Sequence, residues 1–276
     1  MEFSPATKLT AVFGDPVSHS LSPLLHNAIY ANEKVDAVML AFGNPSIEKL
    51  VAAMRALPIY LAAVTMPHKQ TIMPLLDEIE EEARAIGAVN TVVNREGKLH
   101  GYNTDIVGIA EALSGVVLKG TNVLLVGAGG AARTVAYLLK REGANIFCAN
   151  RERAQADELL HTFGGTFVEP EQFRETPFDV IVNATPIGMK PNTDATPFPE
   201  ELIRKGSSVF DLVYSPLETK LLASAARRGA RTISGLTLFL AQGIEQERLW
   251  LGTRIENGQY RELLEAKVHE RDAKLS

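Results

Sequence analysis

Residues 63–69 read AVTMPHK. The pattern predicts a strand running into Pro67 and a helix from His68 onward, because Pro suits the first helical position, where its missing N–H is not needed. Lys69 then falls in the first turn of a helix. The macrodipole there is positive by roughly half a charge and opposes an ammonium. For a structural lysine that is only a cost; for an amine that must exchange a proton, it moves the pKa toward a useful range. A second stretch offers different chemistry. NVLLVGAGGAARTVAYLLK carries Gly127, Ala128, Gly129, Gly130, Ala131 and Ala132 between an apolar strand and an amphipathic helix. This G-x-G-G-x-A turn is a variant of the dinucleotide fingerprint, with alanine in place of its last glycine. Gly127 makes the turn, Gly129 admits a pyrophosphate close to the backbone, and small residues at 130 and 132 let the helix pack on its strand. The next strand ends at Asn150, about 20 residues on, where an acidic side chain commonly meets a ribose 2′-hydroxyl. Here the chain offers Asn150, Arg151, Glu152 and Arg153. The two arginines suit a 2′-phosphate and favour NADP. Glu152 keeps NAD open.

The elements that must position these groups alternate. Strands are expected at KLTAVFG, DAVMLAF, YLAAVT, NVLLVGA, NIFCAN, DVIVNAT, SVFDLV and RTISG. Helices are expected at SPLLHNAIYANE, SIEKLVAAMRAL, AARTVAYLLKREG and ETKLLASAARRG. Strand–helix alternation predicts an α/β protein with parallel sheets covered by helices on both faces. Gly143 and Gly229 follow helical stretches as left-handed caps. The tail from Tyr260 is charged with helical spacing and is expected to fray at its end. The alternation falls into two blocks, divided near residue 105.

Composition narrows the function. The 276 residues are 46% hydrophobic and 22% charged, with a net charge of −5. That is an ordinary globular composition, and it argues against nucleic acid as a partner. The lone cysteine, Cys148, lies in the apolar run NIFCAN, reads as a buried thiol, and fits a reducing compartment. No run reaches the roughly 18 apolar residues of a membrane span, and the N-terminus lacks a basic region ahead of an apolar stretch. A cytoplasmic protein that does not engage membranes is expected. No His/Asp/Glu cluster has metal-ligand spacing.

Several stretches align in order: VFGDPVSHSLSP, AVTMPHK, GAVNT, GYNTD, VGAGGAAR, NATPIGM, FDLVYSPLETKLL and GLTLFLAQGIEQ. Together they resemble the shikimate dehydrogenases over nearly the whole chain. The resemblance implies an N-terminal α/β substrate domain (1–105), a Rossmann-type NADP domain (106–236), and C-terminal helices (237–276) returning to the first domain. It implies reversible, NADP-dependent reduction of 3-dehydroshikimate to shikimate. Lys69 and Asp105 would be the catalytic pair. Ser20 and Ser22 would hold the substrate carboxylate, although Ser22-Pro23 also suits a helix cap. Thr65, Asn90, Tyr214 and Gln242 would contact the substrate. On the cofactor side would lie the glycine turn, Asn150, Arg151, Arg153, Asn183, Ala184, Thr185, Met189 and Gly235. His19 and His68 read as structural. The chain departs from the family's usual pattern at Ala63, usually Asn, at Glu152, usually Thr, and at Leu238 and Phe239, which marks a divergent member. The alternatives are a quinate/shikimate enzyme using NAD, a nucleotide sensor without turnover, and another two-domain NADP enzyme such as a methylene-tetrahydrofolate dehydrogenase. The paired serines suit a small carboxylate better than a folate. Monomer and homodimer are both open.

Overall fold

The structure, a computed structural model, describes residues 3–256 and 258–273. The chain divides into two compact units. One runs up to Asp105 and includes Leu240–Leu264; the other is Ile106–Phe239 with the chain from Glu265 on.

The first unit begins β1 (Lys8–Gly14), α1 (Ser22–Glu33), β2 (Ala37–Gly43), α2 (Ile47–Ala56) and β3 (Ile59–Val64), an alternation close to the expected one. It continues with β4 (Glu78–Ile79), α3 (Glu81–Ile86), β5 (Thr91–Arg95) and β6 (Lys98–Tyr102). The sheet order is β2-β1-β3-β5-β6-β4. Parallel pairing holds from β2 through β3, but β5 is antiparallel to both β3 and β6. The expectation of purely parallel sheets is therefore corrected for this unit. Between β5 and β6 its cause is the two-residue turn Glu96-Gly97, both at positive φ (54° and 88°), which closes a hairpin. The Asn94 side chain fastens that turn by accepting from the Gly97 N–H at 2.9 Å. Phe13, Leu50, Met54, Ile59, Ile72, Val92 and Leu99 form the core of this sheet.

A second correction concerns AVTMPHK. No helix starts at His68. Residues 66–72 form turns and lead into a short 3-10 helix, Met73–Leu75. Pro74 would sit within the second turn of the expected helix and lacks the N–H that helix needs. The Lys69 carbonyl, moreover, accepts the Val89 N–H at 2.8 Å rather than a helical donor. Lys69 thus has no helix field beneath it.

The second unit opens with α4 (Asp105–Ala112), whose first residue closes the first unit. It continues with β7 (Asn122–Val126), α5 (Gly130–Arg141), β8 (Asn145–Ala149), α6 (Arg153–Phe163), β9 (Thr166–Phe167), β10 (Val180–Asn183), β11 (Ser208–Asp211), α7 (Lys220–Arg227) and β12 (Arg231–Ser234). The order β12-β11-β10-β7-β8-β9 is parallel throughout. Buried on both faces, β7 and β10 read as unbroken apolar runs, VLLV and VIV, as central parallel strands must. Gly143 and Gly229 take the left-handed conformation (φ 75° and 72°) just past α5 and α7.

The chain ends with α8 (Gly235–Leu251) and α9 (Gly258–Ala273). Both helices are divided between the units, at Phe239/Leu240 and Leu264/Glu265, which differs from assigning 237–276 wholly to the first. The reason lies in packing: a Cβ on Gly108 would sit 2.5 Å from the Leu238 carbonyl oxygen, and Lys190 donates to the Arg271 carbonyl at 3.4 Å. The expected fraying of residues 274–276 lies outside the described residues. Among the described residues, no helix is long and apolar enough to cross a membrane.

Candidate active site

In the first unit, four separate segments bring polar side chains to one point. Lys69 comes from the turn after β3, Asn90 from the residue before β5, Asp105 from the start of α4, and Gln242 from α8. The Lys69 ammonium donates to Asp105 Oδ2 at 2.5 Å, with side chains 17% and 5% exposed. Asn90 Nδ2 donates to Asp105 Oδ1 at 2.7 Å and lies 3.5 Å from Gln242 Oε1. Both carboxylate oxygens thus have a donor, and the carboxylate sits at a helix N-terminus, where the dipole favours it. Asn90 is itself fixed: its Oδ1 accepts the Thr104 N–H at 2.7 Å and the Thr91 hydroxyl at 2.8 Å. Gln246, one turn beyond Gln242, donates to Thr91 Oγ1 at 3.0 Å and to the Asn90 carbonyl at 3.2 Å. The result is a cation–carboxylate pair whose geometry is set by neutral amides and hydroxyls.

Ser20 and Ser22 have hydroxyl oxygens 3.2 Å apart, close enough to share one anion. Ser22 is not the helix cap. It is the first residue of α1, and its N–H donates instead to Ser20 Oγ at 3.1 Å. The Thr65 hydroxyl has no partner among the described residues. Its methyl fills the space above Gly14, where a Cβ would come within 2.5 Å. His68 is buried with Nε2 2.8 Å from the Asn44 carbonyl, a structural contact. Ala63 packs with Val12 and Val17 in a small apolar cluster.

Sequence reasoning missed a second buried network behind α1. His26 Nδ1 pairs with Glu247 of α8, Tyr30 donates to the same carboxylate at 2.7 Å, and Thr10 Oγ1 lies 2.9 Å from the Tyr30 hydroxyl. The signal was present: Gln246 and Glu247 lie among the apolar positions of the last helical pattern. Burial first, and then the Glu247 charge, hold the Tyr30 phenol well above its ordinary range, so it stays a donor.

In the second unit, the glycine turn follows β7. Gly127 (φ +114°) donates its N–H to the Ala149 carbonyl at 2.8 Å. A Cβ there would lie 2.9 Å from the Ala184 carbonyl oxygen. Gly129 caps α5 without a side-chain bond, and a Cβ on it would meet open space. Ala128 and Ala132 are buried against the sheet, while Gly129 is exposed. Such a glycine-lined helix N-terminus with uncapped N–H groups fits a pyrophosphate. The strand order reverses between β7 and β10, so this turn and Ala184–Thr185 stand at the crevice where doubly wound sheets bind ligands.

The polar residues expected nearby have distinct fates. Asn150 Nδ2 donates to the Glu152 carbonyl at 2.8 Å. Arg151 is 93% exposed, with Glu152 3.4 Å away. Arg153 is already engaged, pairing with Asp157 at 3.0 Å and lying over the Phe167 ring at 4.0 Å. Asn183, expected on the cofactor side, is fully buried. It spends both amide hydrogens on Ile187 O (3.0 Å) and Asp211 (2.9 Å), and its oxygen on Thr185. Its side chain braces the loop. Met189 is half-buried, its N–H on the Pro186 carbonyl. Gly235 is required by the Leu212 carbonyl oxygen, 2.2 Å from a would-be Cβ. Tyr214 lies in this unit and packs on Phe239 at 4.6 Å. Burial pushes the Cys148 thiol up to about 12, which makes it inert. Asp211, which the sequence reading passed over inside FDLVYSP, is fully buried and accepts from Asn183, Val213 and Thr219.

Comparison with known proteins agrees with this division. Residues 12–92 match the family described as Shikimate dehydrogenase substrate binding domain, and residues 109–188 match Shikimate / quinate 5-dehydrogenase. The shikimate dehydrogenase (NADP(+)) of Thermococcus kodakarensis is 42% identical over 259 residues, covering 91% of this chain and 94% of that protein. The crystal structure of shikimate dehydrogenase from Aquifex aeolicus superposes with a TM-score of 0.87 at 38% identity, covering 95% and 99% of the two chains. That of shikimate 5-dehydrogenase from Thermus thermophilus in complex with NADP(H) and shikimate gives 0.84 at 36%, covering 95% and 99%. With a fixed Lys69–Asp105 pair in one unit, a dinucleotide turn at the switch point of the other, and this similarity along nearly its whole length, the chain belongs to the shikimate dehydrogenase family.

Proposed function

We propose that this protein catalyses the reversible, NADP-dependent reduction of 3-dehydroshikimate to shikimate. The observation that carries the reading is the Lys69–Asp105 pair at 2.5 Å, braced by Asn90 and Gln242, in the unit that matches the family's substrate-binding domain. Relatives about 40% identical are named for this activity with NADP(+), and a solved relative holds both NADP(H) and shikimate.

Reducing a ketone to an alcohol needs a hydride on carbon and a proton on oxygen. NADP, when bound, supplies or accepts the hydride. Its pyrophosphate would rest on Gly127–Ala131 and the N-terminus of α5, and its 2′-phosphate would meet Arg151, the less committed of the two arginines. The proton is the chain's own task. In reduction, the Lys69 ammonium gives it to the forming alkoxide oxygen; in oxidation, the amine removes it. The Asp105 carboxylate holds the ammonium in place, and Asn90 fixes that carboxylate from the other side. Ser20 and Ser22 receive the substrate carboxylate with two hydroxyls. Thr65 and Gln242 supply polar contacts to the ring hydroxyls.

A spectrophotometric assay tests the reading: reduction of NADP+ and of NAD+ with shikimate and with quinate. Fastest turnover is expected with shikimate and NADP+. Faster turnover with quinate and NAD+ would establish the alternative specificity, and NADPH binding with no turnover on either acid would establish a sensor.

A further inference from the structure

Two loops of the second unit, those after β10 and after β11, are fastened to one buried carboxylate. Asp211 ends β11 and is fully buried. Its Oδ1 accepts from Asn183 Nδ2 at 2.9 Å and from the Val213 N–H at 3.0 Å; its Oδ2 accepts from Thr219 Oγ1 at 2.7 Å. Each contact carries the restraint onward. Asn183 donates to the Ile187 carbonyl at 3.0 Å and accepts from the Thr185 N–H and hydroxyl at 3.1 and 2.6 Å, which closes the loop after β10. Thr219 accepts the Leu222 N–H at 3.2 Å and so caps α7, and it packs at the end of the 184–187 loop, where a Cβ on Gly188 would lie 3.7 Å from Thr219 Cβ. Among the described residues, Asp211 has no basic partner. A buried carboxylate with only neutral donors opposes folding unless every lone pair is used, and here the carboxylate is desolvated enough for burial to push it up to about 6. What it secures is a place in the fold. The loop it closes packs directly on the glycine turn: Ala184 donates its N–H to the Val126 carbonyl at 2.8 Å, and Thr185 Cγ2 would lie 3.0 Å from a Cβ on Gly127.

We propose that Asp211 is a positioning residue for the dinucleotide: through Asn183 and Thr219, its carboxylate holds the 184–187 loop against the glycine turn in the shape that receives NADP. The proposal rests on the reading that this unit binds NADP. It is tested on the full chain by titrating NADPH fluorescence and by measuring KM for NADP+ and for shikimate. Asp211→Ala is expected to weaken NADPH binding and raise KM for NADP+ by about tenfold, the scale of a lost charge-assisted hydrogen bond, while KM for shikimate holds. Asp211→Asn, whose amide oxygen can still accept from Asn183 and Val213, is expected to restore most of the affinity. A folded Asp211→Ala protein that binds NADPH like the parent, or that loses NADPH and shikimate to the same degree, overturns the proposal. Should Asp211→Ala fail to fold, Thr219→Val removes one donor only. A threefold rise in KM for NADP+ alone is then expected, on the order of half a neutral hydrogen bond, and no rise overturns the proposal. A parent that binds no NADPH overturns the reading of the unit as well, which separates that failure from this one.

Discussion

Asp105 and Asp211 are two buried aspartates that face opposite problems. Asp105 begins a helix and has a cation 2.5 Å away. Asp211 ends a strand and has only an amide, a backbone N–H and a hydroxyl. The first belongs to a pair that can hold and pass a proton, and it remains 3% exposed beside a lysine whose side chain is 17% exposed. The second is sealed and multiply bonded, and it fixes loops rather than moving charge. Burial alone therefore does not say what a carboxylate is for. Its partners do: a paired cation marks chemistry, and neutral donors from two loops mark architecture.

The comparison breaks most sharply at Lys69. Lys69→Ala is expected to lower kcat by about 10²–10⁴-fold, with NADPH affinity unchanged, as measured by steady-state rates and fluorescence titration. A kcat near the parent's would remove the lysine from the proton's path and leave Asp105 as structural as Asp211. Asp105→Asn should fall in the same direction by a smaller factor, since Lys69 is still present to carry the proton but loses the carboxylate that holds it.

Next comes the pH dependence of stability. Asp211 titrates near 6 in the folded protein and near about 3.9 when unfolded. Between those values the folded state holds a proton that the unfolded chain has lost. The group's contribution is therefore full below about 3.9 and lost as pH rises through 6. Asp211→Asn removes that loss. The Tm of the variant minus that of the parent should rise from pH 4 to pH 7 by about 5 °C, for a difference on the order of 2 kcal/mol. A difference that stays flat with pH contradicts the assignment of a charged Asp211.

Gly127 and Gly129 extend the same contrast to the turn. Gly127→Ala places a Cβ at φ +114° and 2.9 Å from the Ala184 carbonyl oxygen. It is expected to destabilise the fold by about 1–3 kcal/mol, visible in denaturant unfolding. Gly129→Ala meets no protein atom and should leave stability alone, so any loss it causes must appear in NADPH binding. An equal loss of stability from both would refute the division. The smallest effect is expected at the arginines. Arg151→Ala should weaken NADP+ against NAD+ by about tenfold, roughly one exposed charge-assisted contact. Arg153→Ala should change that ratio less, because its guanidinium already serves Asp157 and Phe167.

Much of this was legible in the chain. The apolar runs at β1, β7 and β8 start where they were expected, and SPLLHNAIYANE is α1 residue for residue. The glycine turn stood out because strand, glycines and helix come in one local order. The β5–β6 hairpin did not, because its turn is Glu-Gly rather than Asn-Gly and nothing local announces a positive φ at Glu96. AVTMPHK misled for a related reason. Pro67 looked like the start of a helix, while Pro74 and the Val89 bond to the Lys69 carbonyl, which prevent it, lie farther along the chain.

The sequence by itself determined the alternation of strand and helix, the phosphate-binding turn and the kinds of side chain available for proton transfer, since each is written in residues a few positions apart. The tertiary structure alone decided which of those side chains meet. Lys69 reaches Asp105 across 36 positions, and Gln246 reaches Thr91 across 155. It also set Asn183 to bracing a loop and left Arg151 freer than Arg153. Periodicity encodes which face of an element is buried; only packing brings two faces together, and a polar group's role depends on the partner it finds there.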